Sequence, residues 1–466
     1  MSEVQRLLIT GGQVVTGHTV LPADVLIEGE RIAAILSPGA VRDADRVISA
    51  AGCFVIPGVV DAHTHIRLDT GIYQTADDWE TGSRAAAFGG VTTVIDFANQ
   101  IPGKPYMEAL AARQAEAADT VIDYALHMVV LRPEADRNAL QASLSALIAL
   151  GVPSIKLFTT YRPNYYLDDA AILRVLQAMP DGMIAMVHCE NDSIVTAATQ
   201  ALVEQGKTDW RYHAEARPAE AEAEAVNRIL YLASLAGARV YIVHNSTVTA
   251  ARLVNRMCSQ TEDGRRGRFF CETCPQYVLL HDGVYAGEHP ERYILQPPLR
   301  SSHHMEGLAD FVKAGMIDVL STDSCDYTLA QKQARRDFTR TPGGLPGVET
   351  LLPLMFTQFV DHVGLPRLMA MLAENPARLF GLYPRKGAIL PGSDADVVIY
   401  DSAPQSVIRH QNLHYLAGYT PFEGIPVRGR VRTVLSRGEV IVEEGVFKGK
   451  AGRGQFLPGG RSLDPC

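Results

Sequence analysis

A chain of 466 residues that is 47% hydrophobic and 20% charged has the material for a sizeable soluble core, which excludes a disordered or fibrous class. Its formal net charge of −9 gives no electrostatic reason to expect nucleic acid or an anionic membrane as a partner, and apolar runs such as 146–152 are far shorter than the roughly 20 residues that span a bilayer. Seven cysteines, an odd number in a chain whose first residues read as strand and turn rather than signal peptide, point to reduced thiols and a cytoplasmic location.

The first elements are short strands separated by Gly turns, at 7–15, 20–27 and 31–35. From about residue 53 the pattern changes. Short β-branched runs at 55–65, 92–97, 124–130, 154–158, 184–188, 240–244, 269–274 and 319–323 read as eight strands. Amphipathic segments at 79–88, 107–118, 136–150, 169–178, 192–205, 218–236, 248–258 and 304–314 read as helices. Such alternation is the sequence form of an α/β fold, a parallel (β/α)8 TIM barrel with its active site at the C-terminal ends of the strands. Beyond it, 394–400, 434–442 and 446–448 match the N-terminal strands in character. The two termini therefore read as one discontinuous β-sandwich domain: 1–56 and 385–450 form the sandwich, 57–384 the barrel, and 451–466 a Gly- and Pro-rich tail, loose or docked on a neighbouring subunit.

Chemistry gathers at the strand ends. Asp61-Ala62-His63-Thr64-His65 closes the first apolar run; residues i and i+2 of a strand face the same side, so two imidazoles can reach one metal. Lys156, His188, His244 and Asp323 stand at or near the ends of four further strands. Any one of them alone reads as a hydrogen-bonded core residue, whereas six at the same end of successive strands read as a metal centre. Cys271 and Cys274 form a CxxC without the second pair a zinc ribbon needs, and read as packing.

These residues, with Asn375-Pro-Ala-Arg-Leu-Phe-Gly-Leu-Tyr-Pro384 and Gly392-Ser-Asp-Ala-Asp-Val-Val-Ile399, resemble the amidohydrolase superfamily over essentially the whole chain. The segments 79–97, Lys156-Leu-Phe-Thr-Thr-Tyr161 and Glu272-Thr-Cys-Pro-Gln-Tyr277 are most similar to hydantoinases and dihydropyrimidinases. The resemblance implies hydrolysis of a small cyclic amide or imide, of hydantoin or dihydropyrimidine type, to an N-carbamoyl amino acid. It also implies two divalent metal ions, zinc or else manganese or iron, bound by His63, His65 and Asp323 and by His188 and His244. Lys156 is carboxylated in that subgroup and bridges the ions; a protonated lysine cannot bind a cation, but its carbamate is a bidentate anion. A bridging hydroxide would attack the ring carbonyl, Asp323 would carry its proton to the leaving nitrogen, and Tyr161 would stabilise the oxyanion. With all six ligand positions present, a non-enzymatic relative is disfavoured. A homo-oligomer, dimer or tetramer, is expected by the same resemblance.

The pattern departs from that subgroup around the substrate. Its members usually carry Ser-Pro-Pro-Leu-Arg, the serine contacting the imide, where this chain has Gln296-Pro-Pro-Leu-Arg300, and an asparagine where Thr341-Pro-Gly343-Gly344 has glycine. His63-Thr-His65-Ile-Arg67 instead resembles the HxHxR of dihydroorotases, whose arginine binds a substrate carboxylate, and Asn99 is similar to their nearby asparagine. The alternative is therefore an allantoinase or dihydroorotase-like enzyme for an acidic or ureido-substituted ring, unless Arg67 pairs with Asp69, Asp77 or Asp78. Candidate substrate contacts are Arg67, Asn99, Tyr161, Gln296 and Gly343, with Leu68, Ile72, Tyr73, Tyr165 and Tyr166 shaping an apolar pocket for the exocyclic group.

Overall fold

In the computed structural model, which describes residues 5–17, 19–41, 43–259 and 268–466, eight strands pair in parallel and in chain order. They are Val59–Thr64 (β1), Val91–Asn99 (β2), Asp123–Val129 (β3), Ser154–Phe158 (β4), Ile184–His188 (β5), Val240–Ile242 (β6), Phe269–Thr273 (β7) and Val319–Leu320 (β8). A parallel bridge between Thr64 and Ser324 brings the two ends of this sheet together into a nearly closed barrel. Four of the helices between the strands begin on side-chain caps: Asp78, Asp136, Asp168 and Asn191 each accept backbone N–H bonds from the first turn of Trp79–Phe88, Arg137–Ala149, Asp169–Ala178 and Asp192–Glu204.

Three differences from the sequence reading have physical causes. The run over 55–65 is two strands, because Phe54–Pro57 pairs with the terminal sheet and only Val59–Thr64 with the barrel. The break falls at Gly58, where a Cβ would lie 2.1 Å from Thr92 Oγ1, so only glycine lets the chain pass from one layer to the other. Strands β6 and β8 stop short of His244 and Asp323, whose φ values of 37° and 53° turn the chain out of the sheet. Finally, Leu351–Val363 supplies the helix of the eighth unit, which the sequence pattern hid. Pro353 reads as a breaker there, yet it sits in the first turn, where a missing N–H removes no helical bond.

Nine strands from both ends of the chain form a separate, mostly antiparallel sheet: Arg6–Thr16, Thr19–Glu28, Arg31–Leu36, Arg46–Ser49, Phe54–Pro57, Val397–Val407, Pro426–Ser436, Glu439–Glu443 and Val446–Phe447. Val14, Val25, Ile32, Val55, Val397 and Leu435 share its core, which makes the two termini one unit. The tail is not loose: it is docked on its own barrel. Gln455 O accepts from Tyr124 N–H at 3.0 Å, Leu457 N–H donates to Tyr124 O at 2.7 Å, and Gly459, Ser462 and Leu463 donate to Gly151, Gly182 and Arg378. These partners place it at the end of the barrel away from the ligand residues, with Leu457 fully buried among the inward-facing side chains. Among the described residues the cysteines form no disulfide, and no helix is long and apolar enough to cross a membrane.

Candidate metal centre

The six ligand candidates reach the same end of the barrel on five strands. His63 lies on β1 and His65 just beyond it, Lys156 lies on β4, His188 ends β5, and His244 and Asp323 follow β6 and β8. The Nε2 atoms of His63 and His65 are each 3.2 Å from Asp323 Oδ1, and the three ligand atoms lie within 4.8 Å of one another. Opposite them, His188 Nδ1 faces His244 Nε2 at 2.9 Å. The His63 and His244 rings, 5.5 Å apart, join the two groups. Lys156 is 1% exposed, with Nζ over the rings of Phe97 and Phe158 at 5.2 and 5.4 Å. All six residues line one cavity of about 560 Å³.

Carboxylates behind the imidazoles decide which nitrogen faces that cavity. Glu272 Oε1 accepts from His63 Nδ1 at 2.8 Å, which leaves His63 Nε2 as a lone pair, and that atom is buried without a hydrogen bond. Glu190 Oε2 accepts from His188 Nε2 at 2.8 Å and leaves Nδ1 as the lone pair that meets His244 Nε2 at 2.9 Å. Buried lone pairs converging on one space are costly unless a cation sits among them, so this donor set fits a divalent metal. The charge states agree. Burial lowers the pKa of His63, His188 and His244, keeping them neutral. Burial pushes the Asp323 carboxyl up, but the imidazoles of His63 and His65 hold it below its ordinary value, so it stays ionised. Burial brings the Lys156 ammonium down to about 8.

Backbone strain is concentrated at the same place. Among the described residues six non-glycine positions have positive φ, and four of them, Arg67, Tyr161, His244 and Asp323, stand here. Such conformations persist only where neighbouring bonds over-determine them. The N–H of His244 is held by Glu272 Oε1 at 2.8 Å. Beside Asp323, Thr322 donates its N–H and hydroxyl to buried Asp61 at 3.1 and 2.6 Å.

The cavity wall contains most of the expected substrate contacts. Tyr161, Asn99, Gln296 and Gly343 line it, together with Leu68, Ile72 and Tyr165. The Tyr161 ring is 4.9 Å from that of His188 and lies under the Arg217 guanidinium at 5.3 Å; burial pushes its phenol up, so it is a neutral donor. Arg67 is exposed and does not line the cavity, and neither do Tyr73, whose hydroxyl donates to Arg340 O, or Tyr166, on which Arg162 stacks. Sequence reasoning missed Glu190, Glu272, Arg217 and Asp61. Glu190 carried a signal, standing two residues beyond His188, and Glu272 closes an apolar run as the ligand candidates do; Arg217 had none.

The sequence model of the amidohydrolase family matches residues 54–441. A D-hydantoinase of Streptomyces coelicolor is 40% identical over 464 residues, covering 97% of this chain and 98% of the relative. A D-phenylhydantoinase of Escherichia coli is 39% identical over 460 residues, with 97% and 98% covered. Among solved structures, a dihydropyrimidinase from Brevibacillus agri superposes with a TM-score of 0.94 at 34% identity, covering 99% of this chain and 100% of that one.

Proposed function

The chain belongs to the amidohydrolase family, in its hydantoinase and dihydropyrimidinase group, and is a metal-dependent cyclic amidohydrolase; from that premise we propose that it opens an uncharged hydantoin or dihydropyrimidine bearing an apolar exocyclic group. The observation that carries the substrate choice is the composition of the cavity. Its floor holds the six ligand candidates and its mouth Leu68, Ile72, Phe158 and Tyr165, while Arg67 stands exposed off the lining. The other arginine at the mouth, Arg162, is paired with Asp192 at 2.7 Å, which leaves little to attract a substrate carboxylate.

In this reading His63, His65 and Asp323 would hold one divalent ion and His188 and His244 a second, and Lys156, as its carbamate, would be a further ligand. The ions, zinc or else manganese or iron, supply Lewis acidity that polarises the ring carbonyl and lowers the pKa of the attacking water. Carboxylation requires a free amine, and a Lys156 held down to about 8 provides one near neutral pH. Asp323, ionised beside its two imidazoles, takes the proton of the attacking water and delivers it to the departing ring nitrogen. Tyr161 donates to the carbonyl oxygen as charge develops there. Asn99 and Gln296 offer amides to the ring, and Gly343 leaves Gln296 room. The enzyme is read as a cytoplasmic homo-oligomer, dimer or tetramer.

Turnover of dihydrouracil, hydantoin, an aryl-substituted hydantoin, allantoin and dihydroorotate tests the proposal. Preference for the uncharged rings, the aryl hydantoin foremost, is expected. Preference for dihydroorotate or allantoin would contradict it.

A further inference from the structure

Lys332 lies on the short helix Leu329–Gln333, fully buried, and does not line the cavity. Its Nζ donates to two backbone carbonyls, Ile294 O at 2.6 Å and Pro342 O at 2.8 Å. No carboxylate is paired with it; Cys325 and Glu291 are the titratable groups whose fields reach it, and burial brings its ammonium down to about 7. A buried lysine is a costly way to fill space that a methionine could fill. The cost is accounted for by what the two carbonyls carry. Ile294 leads into Leu295 and Gln296, Pro342 leads into Gly343 and Gly344, and these four residues form one wall of the cavity.

The two segments fit each other closely. Gly344 N–H donates to Ile294 O at 3.0 Å, and His213 Nε2 donates to Leu295 O at 2.7 Å. A Cβ at Gly343 would stand 1.8 Å from Gln296 Oε1, so the Gln296 carboxamide occupies the space that any side chain at 343 would need. The register between these segments therefore decides where the Gln296 amide points. We infer that Lys332 is a positioning residue for substrate: its amine ties the Ile294 and Pro342 carbonyls together so that Gln296 meets the ring of the bound cyclic amide. The inference rests on the functional reading above. A neutral amine still has two hydrogens for its two acceptors, so the tie persists when the lysine loses its proton.

A double-mutant cycle of Lys332→Met and Gln296→Ala, read as kcat and KM on whichever cyclic amide the wild type opens fastest, tests it. Lys332→Met is expected to raise KM roughly tenfold, the worth of about one hydrogen bond, with metal content unchanged and kcat within about twofold. In the Gln296→Ala background the same change should add less than about twofold to KM, because the two residues act as one unit. An unchanged KM, with or without a lower melting temperature, or a full tenfold effect in both backgrounds would overturn the inference. If Lys332→Met does not fold, Lys332→Gln enters the same cycle under the same criteria. A wild type inert on every cyclic amide would instead overturn the functional reading, and the inference with it.

Discussion

Glu272 shows how much of this site depends on residues that never face the substrate. Its Oε1 accepts from His63 Nδ1 and from the His244 N–H, both at 2.8 Å, and its Oε2 accepts from the Tyr241 hydroxyl at 2.7 Å. One carboxylate thereby fixes the His63 imidazole and the backbone of His244, one residue from each group of ligand candidates. Glu272→Gln keeps the shape but replaces the anionic acceptor of His63 by a neutral amide oxygen, and metal affinity is expected to fall about 10- to 100-fold, read by titration of the metal-free protein. Unchanged affinity would mean that packing alone orients the two histidines. Lys332 gives a pH test at the same scale. Its folded pKa of about 7 lies below the ordinary 10.5, so between those values the unfolded chain binds more protons than the folded one. Stability therefore rises with pH through that window as the buried charge is lost. The wild type should gain stability relative to Lys332→Met between pH 7 and 10 in urea denaturation, and a flat difference would contradict a buried, depressed lysine. The ligand candidates were legible in the sequence because each sits where an apolar run stops. Arg67 was not, because spacing alone sets it on the face of His65. The strand ends at Thr64 and a φ of 50° leaves the Arg67 side chain exposed.

At the scale of elements, periodicity located strands and helices to within a few residues but not the points where the chain changes layer. The break at Gly58 and the helix that contains Pro353 went unread because the first depends on a neighbour, Thr92, and the second on a helix start that local pattern does not reveal. The tail was misread for a related reason. Gly- and Pro-rich composition signals extended chain, and extended chain can still be docked by its backbone. Leu457 is fully buried among Tyr241, Phe270, Leu379 and Phe380 at the closed end of the barrel. Leu457→Ala is expected to cost about 2–5 kcal/mol by denaturant unfolding, with kcat and KM unchanged because the site lies at the other end. A loss below about 1 kcal/mol would show that the tail merely covers a floor already complete.

For the whole molecule, the joint between barrel and terminal sheet is a buried charge cluster. Lys386 Nζ lies 2.7 Å from Asp123 and from Asp396 and 3.1 Å from Asp394, and Arg437 adds contacts of 3.1 Å to Asp123 and 2.6 Å to Glu30. Burial alone would lower the Lys386 pKa, but the three carboxylates hold it above its ordinary value. Lys386→Met strands those carboxylates and should cost about 3–5 kcal/mol, seen as a lower melting temperature. A melting temperature equal to that of the wild type would show that Arg437 alone holds the joint. The sequence made the two-part architecture readable through strands of like character at both ends; the joint was hidden because Asp123 and Glu30 lie more than two hundred residues from Lys386 and Arg437. The central claim is that this scaffold delivers a binuclear metal centre bridged by Lys156 for ring opening. Its most direct test is metal content and cyclic-amide hydrolysis of the wild type and of Lys156→Ala, each loaded with metal in the presence of bicarbonate. Two metal equivalents per chain with activity in the wild type, and loss of both in Lys156→Ala, is the predicted result; a Lys156→Ala protein that retains the metals and turns over at the wild-type rate would contradict it.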